Sequence, residues 1–322
     1  MIFKEEVKEA FRGPAVLIPM PFNKDGSINY KGLKNYIDFV INAGVKALLL
    51  TLGDSLFTLL TDQEVADVTK IANEYIGKRA LLVASDRVWW TGKEIDFAKY
   101  CKDIGINLMI VNPPDWGASC IPETLVEHYK AISKYVNIML VTGAFIERGA
   151  EFGLNVIRIL KEKVPGILAV KDDFGGAFGK RLAILAEGDW ALTISGSVDY
   201  GTYLFPKESY LEVYPYGYNG YISSYINFAP SVAHLFWNSI KSGDLHEAAK
   251  IVYKYEISYN NFKSSFNVSG ISGRTLAGAD AFYHGALEIF GIFERWRRPP
   301  YYNLSDAEME KLKDFFIKLK LL

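Results

Sequence analysis

Cysteine is nearly absent. Cys101 and Cys120 are the only two in 322 residues, so neither a disulfide framework nor a cysteine-rich zinc site can be built. A charge excess is missing too: 36 Lys and Arg stand against 37 Asp and Glu, leaving a net charge of −1. Without a basic surplus no long-range field gathers phosphates, which argues against nucleic acid as a partner. The opening MIFKEEVKEAF carries acids early and lacks the roughly 7–15-residue apolar core of a secretory signal. No run reaches the roughly 18 apolar residues of a membrane helix. A cytoplasmic protein with no membrane partner is expected.

Several chemical signatures are also missing. The four histidines (128, 234, 246 and 284) are scattered, none with a neighbour at ligand spacing, so no metal site is expected. No GxGxxG follows the first strand-like run, which disfavours a dinucleotide fold. GGAFGKR (175–181) is one residue short of a phosphate loop, and Arg181 stands where a hydroxyl should hold magnesium. Ser55, Ser195 and Ser197 lack a GxSxG elbow.

What is present is rhythm. The hydrophobic share of 50% and charged share of 23% suit a packed protein. Eight short apolar runs recur: 15–22, 47–55, 80–86, 107–115, 137–143, 167–173, 191–197 and 220–227. Most lie roughly 25–35 residues apart, about one strand–helix–strand crossover. Their near-continuous apolar character suits strands covered on both faces of a parallel sheet. Helical patterns fill the gaps. Leu33, Tyr36, Ile37, Val40 and Ile41 keep a helical spacing, with Gly44 as a stop. Thr61–Glu64, Thr91–Glu94 and Ser305–Glu308 each read as capping boxes. After about residue 230 the segments read as helices without strands between them. The expected fold is α/β, a (β/α)8 TIM barrel over 1–230 followed by a helical C-terminal region over 231–322.

In such a barrel, function gathers at the C-terminal ends of the strands. Lys171 stands out there, because it continues the run ILAV and shares a face with Ala169. If that face is the interior, desolvation favours the neutral amine, a nucleophile able to form a Schiff base with a ketone. The alternative is a strand-end lysine reaching solvent. Trp89, Trp90 and Trp116 follow strands three and four; they could stack on a substrate or lie buried beneath the rim or at a subunit contact.

These residues resemble a family, the dihydrodipicolinate synthase/N-acetylneuraminate lyase group of Schiff-base aldolases. The likeness runs through PMPF-x-x-DGSIN (20–29), LTDQE (60–64), NPPDW…ETLVEHYKAI (112–132), ILAVKDDFGG (167–176), GYNGYISSYINFAP (217–230) and RRPPYYNLSDAE (297–308). It places the imine-forming lysine on Lys171. It further implies substrate-binding roles for Gly53, Ser55, Gly196, Ile222 and Ser223, and no metal or organic cofactor. A homo-oligomer, tetramer or dimer, is implied as well.

The departures are as informative. The family's carboxylate-binding GTTGE is here LGDSL (52–56), which puts Asp54 where an anionic substrate group should sit. Val141 takes the place of the catalytic tyrosine, and Pro114 or Asp115 that of the second relay tyrosine. Asp54, Asp115 and Thr142 are the candidates for proton transfer. Arg148 sits two residues beyond the family's carboxylate-binding arginine and is the candidate to bind substrate in its place, the alternative being an ordinary solvated arginine. The expected activity is that of a carbon–carbon lyase or aldolase, or a related dehydratase, acting on a 2-oxo acid such as pyruvate or a sugar-acid derivative. The alternative is a non-catalytic small-molecule-binding protein that kept the barrel.

Overall fold

The computed structural model describes residues 2–146, 148–195, 217–222, 225–265 and 281–322. The first strands are β1 (Gly13–Pro14), β2 (Val16–Leu17), β3 (Ala47–Leu49), β4 (Leu81–Ser85) and β5 (Leu108–Ile110). Then follow β6 (Asn137–Val141), β7 (Ile167–Asp172), β8 (Ala191–Ser195) and β9 (Gly220–Ile222). Every one of the eight apolar runs contains a strand. The helices of the first half are α1 (Lys4–Ala10), α2 (Tyr30–Asn42), α3 (Asp62–Ile76), α4 (Thr91–Asp103) and α5 (Pro122–Ile132). Next come α6 (Gly143–Ile146), α7 (Ala150–Lys163) and α8 (Gly176–Ala186). The C-terminal helices are α9 (Pro230–Ser242), α10 (Leu245–Ile251), α11 (Ser258–Ser265), α12 (Ala281–Ile289) and α13 (Asp306–Lys318).

The chain divides into two compact units. The first comprises Met1–Ala15, Lys46–Leu49 and Gly77–Ser223. Its strands run in the spatial order β1-β9-β8-β7-β6-β5-β4-β3, each neighbouring pair parallel. Residues from both pleat faces are buried, among them Val83, Ala84, Leu140, Ala169, Val170 and Ile194. That explains why the strand runs are apolar throughout instead of alternating. β1 lies beside β9, the last strand, and this contact needs glycine: a Cβ at Gly220 would sit 2.0 Å from the Gly13 carbonyl oxygen.

The second unit comprises Val16–Val45, Leu50–Ile76 and Ser224–Leu322. Its C-terminal part is helical, as the sequence pattern predicts. Aromatic rings hold it together: Phe228 lies 5.0 Å from Tyr259 and 5.6 Å from Phe316, and Phe262 stacks on Phe315 at 4.2 Å. Arg298 donates through Nε to the Gly26 carbonyl at 2.6 Å, through Nη1 to the Leu59 carbonyl at 2.8 Å, and to both Glu64 oxygens. That fork holds the Glu64 carboxyl down at about 2.

Two of the three capping boxes form. Glu64 accepts the Thr61 amide at 2.8 Å, and Ser305 and Glu308 bond reciprocally. Thr91–Glu94 does not. The N-cap is Trp90, the Thr91 hydroxyl meets His128 Nδ1 at 3.0 Å, and Glu94 is fully buried with neither carboxylate oxygen hydrogen-bonded among the described residues. A tertiary partner has taken the hydroxyl that the local signature assigns to the helix end.

Candidate active site

β7 reads ILAVKD, and Ile167 to Val170 are all buried. Its pleat sends successive side chains to opposite faces. Asp172 points towards α8, since a Cβ on Gly179 would lie 2.7 Å from its Oδ2. Lys171 therefore leaves by the other face, which it shares with its in-register neighbours Val141 on β6 and Thr193 on β8. The Lys171 side chain is 12% exposed and its Nζ forms an ion pair with the Asp173 carboxylate. Thr193 is buried, and its hydroxyl has no hydrogen-bond partner among the described residues.

A hydrogen-bonded frame fixes this strand end. Asp172 is buried and accepts from four donors: Thr142 Oγ1 at 3.0 Å, the Phe174 amide at 3.0 Å, the Gly175 amide at 3.1 Å and the Tyr218 hydroxyl. Burial of a carboxylate is tolerated when its lone pairs are filled in this way. Thr142 Oγ1 also accepts the Asp173 amide at 2.9 Å, and the Thr142 amide donates to the Lys171 carbonyl at 3.0 Å. The glycine pair of GGAFGKR serves the same frame. Gly175, at φ 60° and ψ −147°, takes a turn closed to residues with a side chain, and its amide is spent on Asp172.

Lys171 and Thr142 thus come together, with Asp172, Asp173 and Thr193 added. Ile222, 2% exposed, shares the Lys171 face through its register with Ser195. Gly196 and Ser223 lie outside the described residues, as does Ser197. Asp115 is exposed in a turn at φ 51° and accepts from the Ser119 hydroxyl at 3.2 Å. Arg148 is exposed, donates to the Cys120 carbonyl and lies 3.8 Å over the Phe152 ring. Trp89 packs edge-on against Phe97 at 5.1 Å, whereas Trp90 is 67% exposed.

LGDSL lies in the second unit. The Ser55 hydroxyl is fully engaged: it donates to the Ile18 carbonyl at 2.6 Å and accepts the Thr51 amide at 3.0 Å. The Gly53 carbonyl accepts the Leu56 amide at 2.9 Å, and the Asp54 amide donates to Thr51 Oγ1 at 3.1 Å. Burial raises the Tyr36 phenol well above its usual range, and the Asp54 charge adds to that.

A model of the Dihydrodipicolinate synthetase family matches residues 10–316. The chain belongs to that family. A 4-hydroxy-tetrahydrodipicolinate synthase of Sulfurihydrogenibium sp. (strain YO3AOP1) is 26% identical over 316 residues, covering 97% of this chain and 99% of its own. Among solved structures, dihydrodipicolinate synthase from Bacteroides thetaiotaomicron matches with a TM-score of 0.78 at 17% identity, over 96% of this chain and 98% of its own. N-acetylneuraminate lyase from Mycoplasma synoviae matches with a TM-score of 0.76 at 17% identity, over 97% and 98%. These likenesses confirm the expected fold class, the (β/α)8 barrel with a helical C-terminal part. As a member of this family the protein is an enzyme of the lyase type. No helix among the described residues is long and apolar enough to cross a membrane.

In this family member a second group of polar side chains lies buried at the end of β4, and the sequence reading did not select it. Asp86 accepts from the Asn112 amide, from Asn112 Nδ2 at 2.9 Å and from the Val88 amide at 3.3 Å. Desolvation outweighs those bonds and pushes its carboxyl up to about 7. Glu94 is raised well above the carboxylate range, first by burial and then by the Asp86 charge. Burial lowers His128 to about 4, so its ring is neutral. A sequence signal for Asp86 did exist, since it ends an apolar run. The neighbouring Glu94 was hidden by its resemblance to a helix cap.

Proposed function

We propose that this chain is a carbon–carbon lyase or aldolase, or a related dehydratase, that binds a 2-oxo acid such as pyruvate or a sugar-acid derivative as an imine on Lys171. One observation carries the reading. Lys171 sits at the C-terminal end of β7, mostly buried, on the face turned away from α8, which is where barrel enzymes hold their reacting groups. Its amine attacks the ketone carbon, water leaves, and the resulting iminium accepts the electron pair as the bond to the neighbouring carbon breaks or forms. The iminium is itself the electron sink, so the reading requires no metal or organic cofactor.

Val141 faces the same side as Lys171 from the adjacent strand and offers no hydroxyl, so a tyrosine at that place takes no part. Thr142 acts by positioning, because its hydroxyl already bonds both Asp172 and the Asp173 amide. The same reading makes the protein a cytoplasmic homo-oligomer, tetramer or dimer. A second reading, a binding protein without catalysis, draws support from the Lys171–Asp173 ion pair, which occupies the amine.

Borohydride reduction with pyruvate and a panel of longer 2-oxo acids, followed by peptide mass spectrometry, separates the two. A stable adduct on Lys171 is expected. Absence of any adduct with a 2-oxo acid that calorimetry shows to bind leaves the binding protein as the answer.

A further inference from the structure

We propose that Asp173 is the proton carrier for the Lys171 amine: it takes the ammonium proton before attack and returns it to the oxygen that departs as water. The inference rests on the imine reading above and adds to it the group that does the acid–base work.

The geometry assigns this task to Asp173 and not to its neighbour. Asp172 and Asp173 are adjacent carboxylates with opposite surroundings. Asp172 is buried on the α8 side, with four donors filling its lone pairs. A proton placed there would break that frame. Asp173 follows Lys171 by two residues, leaves on the Lys171 side, and is in direct ion-pair contact with Nζ. Its side chain is 30% exposed, so an incoming carbonyl can approach the pair. The backbone at Asp173 is held by the hydrogen bond its amide donates to Thr142 Oγ1, and the carboxylate thus swings only about its own torsions. Gly143 keeps the second oxygen clear, because a Cβ there would lie 3.3 Å from Asp173 Oδ2. One oxygen contacts the amine while the other lies beside Gly143.

The chemistry balances with this one group. The ammonium gives a proton to Asp173, leaving a free amine and a carboxylic acid. The amine attacks the carbonyl carbon, forming the C–N bond as the C=O π pair moves to oxygen. A proton passes from nitrogen to that oxygen, giving the carbinolamine. Asp173 then protonates the hydroxyl, the C–O bond breaks, and water leaves with a protonated iminium and a carboxylate. The ammonium's three protons end as one on the iminium and two in water, and no oxidant or reductant is consumed. A positioned acid–base group of this kind contributes roughly 100- to 10,000-fold.

The test is the rate of pyruvate adduct formation on Lys171, trapped with borohydride from pH 6 to 10.5, in wild type, Asp173→Asn and Asp173→Glu. Asp173→Asn is expected to slow trapping at least about 100-fold near neutral pH and to regain most of it at the alkaline end. There hydroxide supplies the free amine. Asp173→Glu, which keeps a carboxylate on a longer stem, is expected to retain more than the amide and guards against an Asn variant that fails to fold. Equal rates and parallel pH profiles in wild type and Asp173→Asn overturn the assignment while leaving the imine intact. No adduct in wild type removes the imine reading itself, and this inference with it.

Discussion

Replacing Asp86 by Asn should change how stability depends on pH. Asp86 is fully buried, and burial lifts its carboxyl from 3.8 to about 7. Below about pH 4 the group is protonated in both the folded and unfolded chain and costs nothing. Between pH 4 and 7 the unfolded chain loses the proton while the folded one keeps it, so stability falls as pH rises. Above about 7 both are ionised and the penalty is complete. A displacement of about three pH units, at about 1.36 kcal/mol each, amounts to on the order of 4 kcal/mol. Asparagine cannot ionise, and the site can receive it. Asn112 Oδ1 has no hydrogen-bond partner among the described residues, so a flip of the Asn112 amide offers that oxygen to the new side-chain N–H. The variant is expected to differ from wild type by less than about 1 kcal/mol at pH 4 and to exceed it by about 2–4 kcal/mol at pH 8. Urea melts of both proteins across that range measure the difference, and the titrating groups that do not feel the Asp86 charge cancel in it. Curves that stay parallel from pH 4 to 8 refute the argument.

Gly179→Ala should destabilise the protein by about 1–3 kcal/mol, because the new Cβ meets the Tyr218 hydroxyl at 2.0 Å and Asp172 Oδ2 at 2.7 Å. A shifted denaturation midpoint shows it, and an unchanged one refutes the frame around Asp172. Arg298→Lys loses the guanidinium fork on Glu64 and the two carbonyl bonds, at a cost of about 1–2 kcal/mol at pH 7. Because Glu64 is held at about 2, below its unfolded value, the pair stabilises above about pH 4.5 and is lost as pH falls towards 2. The gap between variant and wild type, read from melts at pH 7 and pH 3, should therefore narrow in acid.

The strands were legible because each is a buried parallel strand, and burial on both faces writes a continuous apolar run into the chain. β1 was not: two residues, Gly13 and Pro14, carry no pattern, and their pairing depends on the missing side chain of Gly220. Lys171 could be singled out as a charge ending such a run. Asp173 was readable in principle, since residues two apart share a face of an extended chain, yet nothing local separates it from an ordinary loop acid. Ser55 shows the opposite limit. Its hydroxyl is taken by a carbonyl 37 residues away, a pairing that only the folded chain contains. The same holds for Thr91, whose signature as a cap was correct locally and was overruled by His128.

Amides at a glycine turn before a helix ordinarily await a phosphate from outside. Here the turn at Phe174 and Gly175 is already occupied from within, by the chain's own Asp172. That self-supplied anion leaves this corner with two donors fewer for a phosphorylated compound.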